Sequence, residues 1–377
     1  MKTLTIAKRW FASAARKPYS VLYFGSEDYA RATLGALLEQ NNLSALVRRL
    51  TVVVPPLVGT TSPTQSMHDL VNSKQLEKFI YRKKLKPIEE FIRQEIEKKE
   101  CPFDIGIIGS FGRKIPAHMV DLFPQGMLVA HPSLLPKYRG PCPIQHCVMN
   151  GEKLTGATVL DISKEVIDGG DILLQRTCEI ADDDNYLSMA QKCGWLAGEG
   201  LAAILDDLDA FRKKAVKQSN DSATIAYMIS RERAMFDWGK LSAGEAVRMQ
   251  KALYKSPTTP YSKFQVHGKW RSVFFEQLRA EDRGSEFYKE NLEAVEGKAA
   301  PGTLHWGGLK KGLNRLCIRC KEGWVSTESI KLEGTPFIRA ENFVRNNLKN
   351  LHYSKGAKFV YRLALPTEIP QVTTNNK

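Results

Sequence analysis

A run of four apolar residues, Val21-Leu22-Tyr23-Phe24, stops at Gly25-Ser26-Glu27-Asp28, after which apolar side chains return at Ala30, Leu34, Leu37 and Leu38. The first spacing predicts a buried strand and the second the inner face of a helix, which is how an α/β domain opens. Leu50 to Val54 predicts a second strand, stopped by Pro55-Pro56, and a loop rich in Thr, Ser, Pro and Gly extends from Val58 to Gln65. From Gln75 to Lys99 the positions of Phe79, Ile80, Leu85, Ile88, Phe91, Ile92 and Ile96 predict a helix interrupted near Pro87. Further strands are expected at Ile105–Ile108 and Met127–Ala130, the latter presenting His131 at its C-terminal edge, where the active groups of open α/β sheets gather.

Thr158–Ile162 and Ile172–Leu174 predict two strands either side of a turn at Asp168. Asp182-Asp183-Asp184-Asn185 then supplies capping side chains to a long helix carrying Leu187, Ala190, Trp195, Leu196, Leu201, Ile204, Leu205 and Leu208. Polar residues from Gln218 to Thr224 begin a linker that ends in a short helix near Tyr254. Beyond Ser256-Pro257 the pattern changes to short β runs at Phe264–Val266, Ser272–Phe275, Leu316–Ile318, Trp324-Val325 and Lys358–Tyr361, parted by glycine turns, and a small barrel is expected. The chain thus divides into a leader at 1–19, an α/β catalytic domain at 20–217, a linker at 218–255, a barrel-like domain at 256–365 and a flexible tail at 366–377.

The 377 residues, 43% hydrophobic and 25% charged, are those of a folded protein of two domains. A formal charge of +14 adds a positive field suited to an acidic polymer. No apolar run approaches the roughly eighteen residues of a membrane span, so no membrane insertion is expected. The seven cysteines, at 101, 142, 147, 178, 193, 317 and 320, are odd in number and scattered, which reads as free thiols in a reducing compartment. Cys317 and Cys320 form the one CxxC, without the second pair that a zinc ribbon needs, and no metal is expected. The first twenty residues carry Lys2, Lys8, Arg9, Arg16 and Lys17 and no acid, the composition of a mitochondrial targeting peptide, with Arg9-Trp10-Phe11 as a processing point; a basic arm is the alternative.

The chemistry concentrates in His131-Pro132-Ser133-Leu134-Leu135-Pro136, continued by Lys137-Tyr138-Arg139-Gly140-Pro141, and in Val166-Ile167-Asp168-Gly169-Gly170-Asp171. An imidazole at a strand end and a carboxylate in a glycine turn are a donor and an acceptor of protons held on separate loops. Together the two segments resemble the signature of the formyltransferases that use 10-formyltetrahydrofolate. Asp237-Trp238, Ile330 to Pro336 and Ala340 to Phe343 resemble the linker and C-terminal domain of the tRNA-specific members. The likeness is sharpest between Gly126 and Leu174.

That resemblance implies a Rossmann-like sheet domain of formyltransferase type followed by an OB-like barrel. It implies formyl transfer from 10-formyltetrahydrofolate to the amino group of methionyl initiator tRNA, by a monomer in the mitochondrial matrix. His131 would donate to the oxyanion, and Asp168 would set the charge of the imidazole or hold a proton-accepting water. The folate would lie against Phe111, Gly112 and Ile115 and against Ser133, Leu134, Leu135 and Pro136. Lys78, Arg82 and Lys83, with Arg345, Lys349 and Lys355, would meet tRNA phosphates. Two features depart from the family pattern. The loop after the second strand lacks the family's Gly- and Arg-rich composition. Val129 stands where the family places an asparagine whose amide is a second oxyanion donor, and a main-chain N–H, Gln145 or His146 would have to replace it. Two alternatives stay open: a folate-dependent formyltransferase or hydrolase acting on a small molecule, and a tRNA- or folate-binding relative without catalysis.

Overall fold

The computed structural model describes residues 17–57, 64–81, 84–98, 102–256, 258–266, 268–308, 314–348 and 361–369. The chain forms two compact units. The first runs to Pro136 and takes in Gly156–Thr177 and Gln191–Ser222; the second comprises Lys137–Thr155, Cys178–Ala190 and the chain from Ala223 onward.

The first unit is built on seven strands: β1 (Tyr19–Gly25), β2 (Val47–Val54), β3 (Glu77–Ile80), β4 (Ile105–Ser110), β5 (Met127–His131), β6 (Leu154–Asp161) and β7 (Ile172–Glu179), in the order β3-β2-β1-β4-β5-β6-β7. Strands β1 to β5 pair in parallel, and β6 runs antiparallel to β5. Every residue of β1 and β5 is buried, as a parallel sheet covered on both faces requires, and this is why their sequences read as unbroken apolar runs. The helix Asp28–Leu38 turns Ala30, Leu34 and Leu37 inward.

One expected element is wrong. Residues 77–80 form strand β3 rather than helix, and the helix starts only at Lys86, with Pro87 in its first turn. Pairing decides it: Val53 and Val54 align with Phe79 and Ile80, Thr51 Oγ1 donates to Glu77 Oε2 at 2.6 Å, and Phe79 stacks on Phe91 with centroids 4.6 Å apart. An amphipathic helix at Gln65–Ser73, with Met67 and Val71 buried, lies where the apolar spacing predicts no element.

In the second unit the helix Pro143–Met149 packs on the helix Ala243–Ala252. Phe236 stacks on Trp238 at 4.8 Å, Phe275 meets the indole edge-on, and Trp238 Nε1 donates to Ser262 Oγ at 3.0 Å, so the Asp237-Trp238 segment is core. Eight strands come next: β8 (Ser262–Val266), β9 (Lys269–Glu276), β10 (Arg279–Ala280), β11 (Leu304–Gly308), β12 (Asn314–Arg319), β13 (Trp324–Thr327), β14 (Ser329–Leu332) and β15 (Ile338–Arg339). They form two four-stranded sheets, β10-β13-β12-β11 and β15-β14-β9-β8, whose strand pairs are antiparallel. The expected strand at Lys358–Tyr361 falls mostly outside the described residues. Arg362 bridges Thr303 and Ala364 bridges Lys263, so this last segment touches the edges of both sheets.

Candidate active site

Strand β5 ends at His131, opposite Thr158 of β6. The chain turns at once, with Ser133 N donating to the His131 carbonyl at 2.9 Å. Thr158 Oγ1 fixes the loop beyond this turn: it donates to the Ser133 carbonyl at 2.7 Å and accepts from Leu135 N at 3.2 Å. Gln175 Nε2 donates both to that hydroxyl, at 3.0 Å, and to the Leu135 carbonyl, at 2.8 Å. The loop therefore has its main-chain groups satisfied from β6 and β7, and the histidine sits at a rigid strand end.

Asp168 arrives from a strained turn. Its φ is +53°, a left-handed value that a residue with a side chain reaches at a cost. Gln218 Nε2 holds the turn by donating to the carbonyls of Asp168 and Gly170, each at 2.8 Å. Gly170 is required, because a Cβ there would stand 1.8 Å from the Asp161 carbonyl oxygen. The result is that Asp168 Oδ2 lies 3.7 Å from His131 Nδ1, with the two side chains 13% and 6% exposed. That distance exceeds a good hydrogen bond but is within ion-pair reach of a protonated imidazole. Sequence spacing pointed to His131 and Asp168. It did not point to Thr158, Gln175 or Gln218, whose work is done on the main chain.

Of the folate candidates, Ser133, Leu134, Leu135 and Pro136 begin two residues after His131, with Ser133 and Leu135 buried and Leu134 and Pro136 partly open. Phe111 and Ile115 are core residues: Phe111 meets Phe24 edge-on at 5.1 Å and Tyr81 at 4.9 Å, while Gly112 between them is exposed at φ +68°. Val129 is buried with Leu135 and Leu160, against Ile108, Ile162 and Ile172. The two side chains considered as its substitute lie in the second unit and are engaged there, Gln145 with Ser256 at 3.4 Å and His146 with the Tyr227 carbonyl at 2.9 Å. Lys78 sits on edge strand β3, bonded to Asn72, and Arg345 pairs with Glu341 at 3.2 Å on the helix Ala340–Asn347. Arg82, Lys83, Lys349 and Lys355 lie outside the described residues. Among the described residues no group of His, Cys, Asp and Glu is arranged to hold a metal, and no helix is long and apolar enough to cross a membrane.

Residues 29–205, which contain both His131 and Asp168, match the formyl transferase family model. The likeness to particular proteins extends further. Along 95% of its length the chain is similar to human mitochondrial methionyl-tRNA formyltransferase, at 26% identity and covering 87% of that protein. The rat mitochondrial enzyme gives 25% identity over the same shares, and the methionyl-tRNA formyltransferase of Geotalea daltonii 28% over 69% of this chain and 76% of its own. Among solved structures, HypX from Aquifex aeolicus in complex with tetrahydrofolic acid superposes over 91% of this chain with a TM-score of 0.56 at 16% identity. The chain spans 50% of HypX, and at that identity the likeness is one of fold.

Proposed function

We propose that the protein transfers a formyl group from 10-formyltetrahydrofolate to the amino group of methionyl initiator tRNA for translation in mitochondria. The observation that carries this is the meeting of His131 and Asp168 at the end of β5, inside the segment that matches the formyl transferase family model. The amino nitrogen attacks the formyl carbon and its proton passes to a base. The carbonyl oxygen takes negative charge, then the bond to folate N10 breaks and N10 recovers the electron pair and a proton. His131 donates a hydrogen bond to the oxygen as its charge develops. Asp168 pairs with the ring or holds the water that accepts the amine proton. Leu134, Pro136 and Gly112 present surface to the folate, with Phe111 and Ile115 packed behind.

The second unit is read as the tRNA-binding part, with 20–217 catalytic, 218–255 a linker and 256–365 an OB-like barrel. In support of closure, β9 leads into β10 and β13 into β14 across the two sheets, and the segment around Arg362 and Ala364 pairs with the remaining edges. Mitochondrial relatives and the basic, acid-free first nineteen residues support the matrix as its location, and a monomer is expected.

The test is turnover by purified protein with methionyl initiator tRNA and 10-formyltetrahydrofolate, read as formylmethionine released from the tRNA. Formylation that needs the RNA supports the reading. Formyl transfer to a free amine at an equal rate favours a small-molecule enzyme, and no turnover on any charged tRNA favours a binding protein.

A further inference from the structure

In the second unit the helix Ala243–Ala252, the chain from Glu276 to Ala280 and the turn from Asp182 to Asn185 bound a cavity of about 630 Å³, the size of a small-molecule site. One wall is clamped where the chain leaves β9. Gln250 Nε2 donates to the Phe275 carbonyl at 2.8 Å, Gln250 Oε1 accepts from Leu278 N at 2.5 Å, and Gln277 between them takes a φ of +53°. Leu278 and Val247, both packed on the core, give the cavity apolar lining, and Tyr254, 41% exposed, adds an aromatic ring. Its charges do not balance. Three carboxylates line it, Asp182, Asp183 and Glu276, with two cations, Lys251 and Arg279. Lys251 Nζ donates to the Asp182 carbonyl, Arg279 Nη1 pairs with Glu328 at 3.1 Å, and Asp182 reaches Lys153 at 3.5 Å. Asp183 and Glu276, both exposed, remain, and among the described residues neither carboxylate has a hydrogen bond or a cation within ion-pair reach. The cavity is therefore negative in a chain whose formal charge is +14. An anion, nucleic acid included, would face both carboxylates, and an uncharged apolar molecule would strip their water without replacing it. Carboxylates on different walls, with hydrocarbon and a ring in the same cavity, suit a molecule of the opposite pattern, ammonium groups joined by methylenes.

We propose that this cavity binds a linear aliphatic di- or polyamine, with one ammonium on Asp183, another on Glu276 and the methylene chain over Val247, Leu278 and the Tyr254 ring. The ring already accepts one ammonium, that of Lys255, whose Nζ lies 5.6 Å from its centre. The site uses neither His131 nor Asp168, so it stands apart from formyl transfer and does not depend on it.

The test is isothermal titration calorimetry of the full chain with putrescine, spermidine and, as the single-ammonium control, n-butylamine, at physiological salt. Saturable binding of the first two is expected, with n-butylamine weaker by about two- to fivefold because one carboxylate goes unused. Asp183→Asn and Glu276→Gln should each raise the Kd for putrescine about two- to fivefold, and Tyr254→Ala by a similar factor. The double variant of Asp183→Asn with Glu276→Gln should bind putrescine no better than n-butylamine. Glu290→Gln, which removes an exposed carboxylate outside the cavity, should leave the Kd unchanged. Thermal unfolding establishes that each variant is folded. No saturable binding of any amine overturns the site, as do folded cavity variants with the wild-type Kd. Equal affinity for putrescine and n-butylamine overturns the use of two carboxylates, and an effect of Glu290→Gln as large as that of Glu276→Gln reduces the binding to general attraction by charge. A lysine-containing peptide that binds through the same residues more tightly than spermidine overturns the polyamine in favour of a protein partner.

Discussion

Replacing Val129 with asparagine restores the donor that the formyltransferase pattern carries, and the structure sets what that costs. Val129 is 9% exposed, packed with Leu135 and Leu160 and flanked by Ile108, Ile162 and Ile172. Taking an isopropyl group out of such a cluster forfeits about 1.5 to 3 kcal/mol. A buried amide left without partners costs about 1 to 3 kcal/mol more, although asparagine is close enough in volume that no cavity opens. A net loss of about 3 kcal/mol lowers Tm by roughly 6 to 12 °C in a unit of this size. Residues 129 and 131 share a face of β5, so the new amide is expected to reach the same oxygen that His131 serves. One donor of this kind is worth about a hundred- to a thousandfold in kcat. The expected signature is therefore a protein that melts earlier and turns over faster, with the KM for the formyl donor nearly unchanged, because the new bond forms to the transition state. Single-turnover formylation beside a thermal melt reads both halves. An unchanged kcat with a lowered Tm would refute the idea that position 129 faces the oxyanion; a raised kcat without loss of stability would refute the packing account.

His131→Ala and Asp168→Ala are each expected to reduce formyl transfer by about a hundredfold or more in a folded protein, and near-normal turnover of either would remove the proposed chemistry. Gln218→Ala removes two hydrogen bonds, worth about 1 kcal/mol each, from a turn already holding Asp168 at positive φ. It should lower kcat by up to about thirtyfold and alter its pH profile, whereas a shift in Tm alone would make Gln218 merely structural. Hydrogen bonds from Arg49 hold the Glu77 carboxyl below its ordinary range, and hydrogen bonds from Lys98 and then Arg49 do the same for Glu95. Both folded values are depressed, so their stabilisation is present above the unfolded pKa of about 4.3 and is lost as pH falls below it. Melting temperatures of Arg49→Ala should accordingly fall less steeply than wild type in that acid range, and parallel curves would contradict the assignment.

How much of this was legible in the sequence depends on what each residue does. Strands β1 and β5, and the buried second half of β2, announce themselves because burial on both faces demands apolar runs. Strand β3 does not: it is an edge strand of four mostly exposed residues, and Phe79 and Ile80 fall as easily into the helical spacing that continues to Ile96. Its identity comes from the partner strand and from the Arg49–Glu77 pair, which no local pattern contains. The catalytic candidates were legible for a different reason. His131 and Asp168 are embedded in prolines and glycines whose backbone demands are visible one residue at a time, and Gly170, with no room for a Cβ, is the clearest of these.

The residues that went unread share a trait. Thr158, Gln175 and Gln218 all bond main-chain carbonyls or amides of the site's two loops. The chemistry of the groups they hold is the same in every peptide, so the segments being held carry no matching signature. The same trait governs the consequence of valine at 129. The loop after His131 has main-chain groups held from β6 and β7, and Val129 meets it through apolar packing on Leu135, so an apolar residue there removes a potential donor while keeping the loop packed. The scaffold that positions His131 against Asp168 is thereby independent of the oxyanion contact that valine lacks. A chain built in this way keeps the main-chain hydrogen bonds that place His131 and Asp168 when the residue at 129 changes, so substitution there is read in two quantities, the rate through the oxyanion contact and the stability through the packing on Leu135.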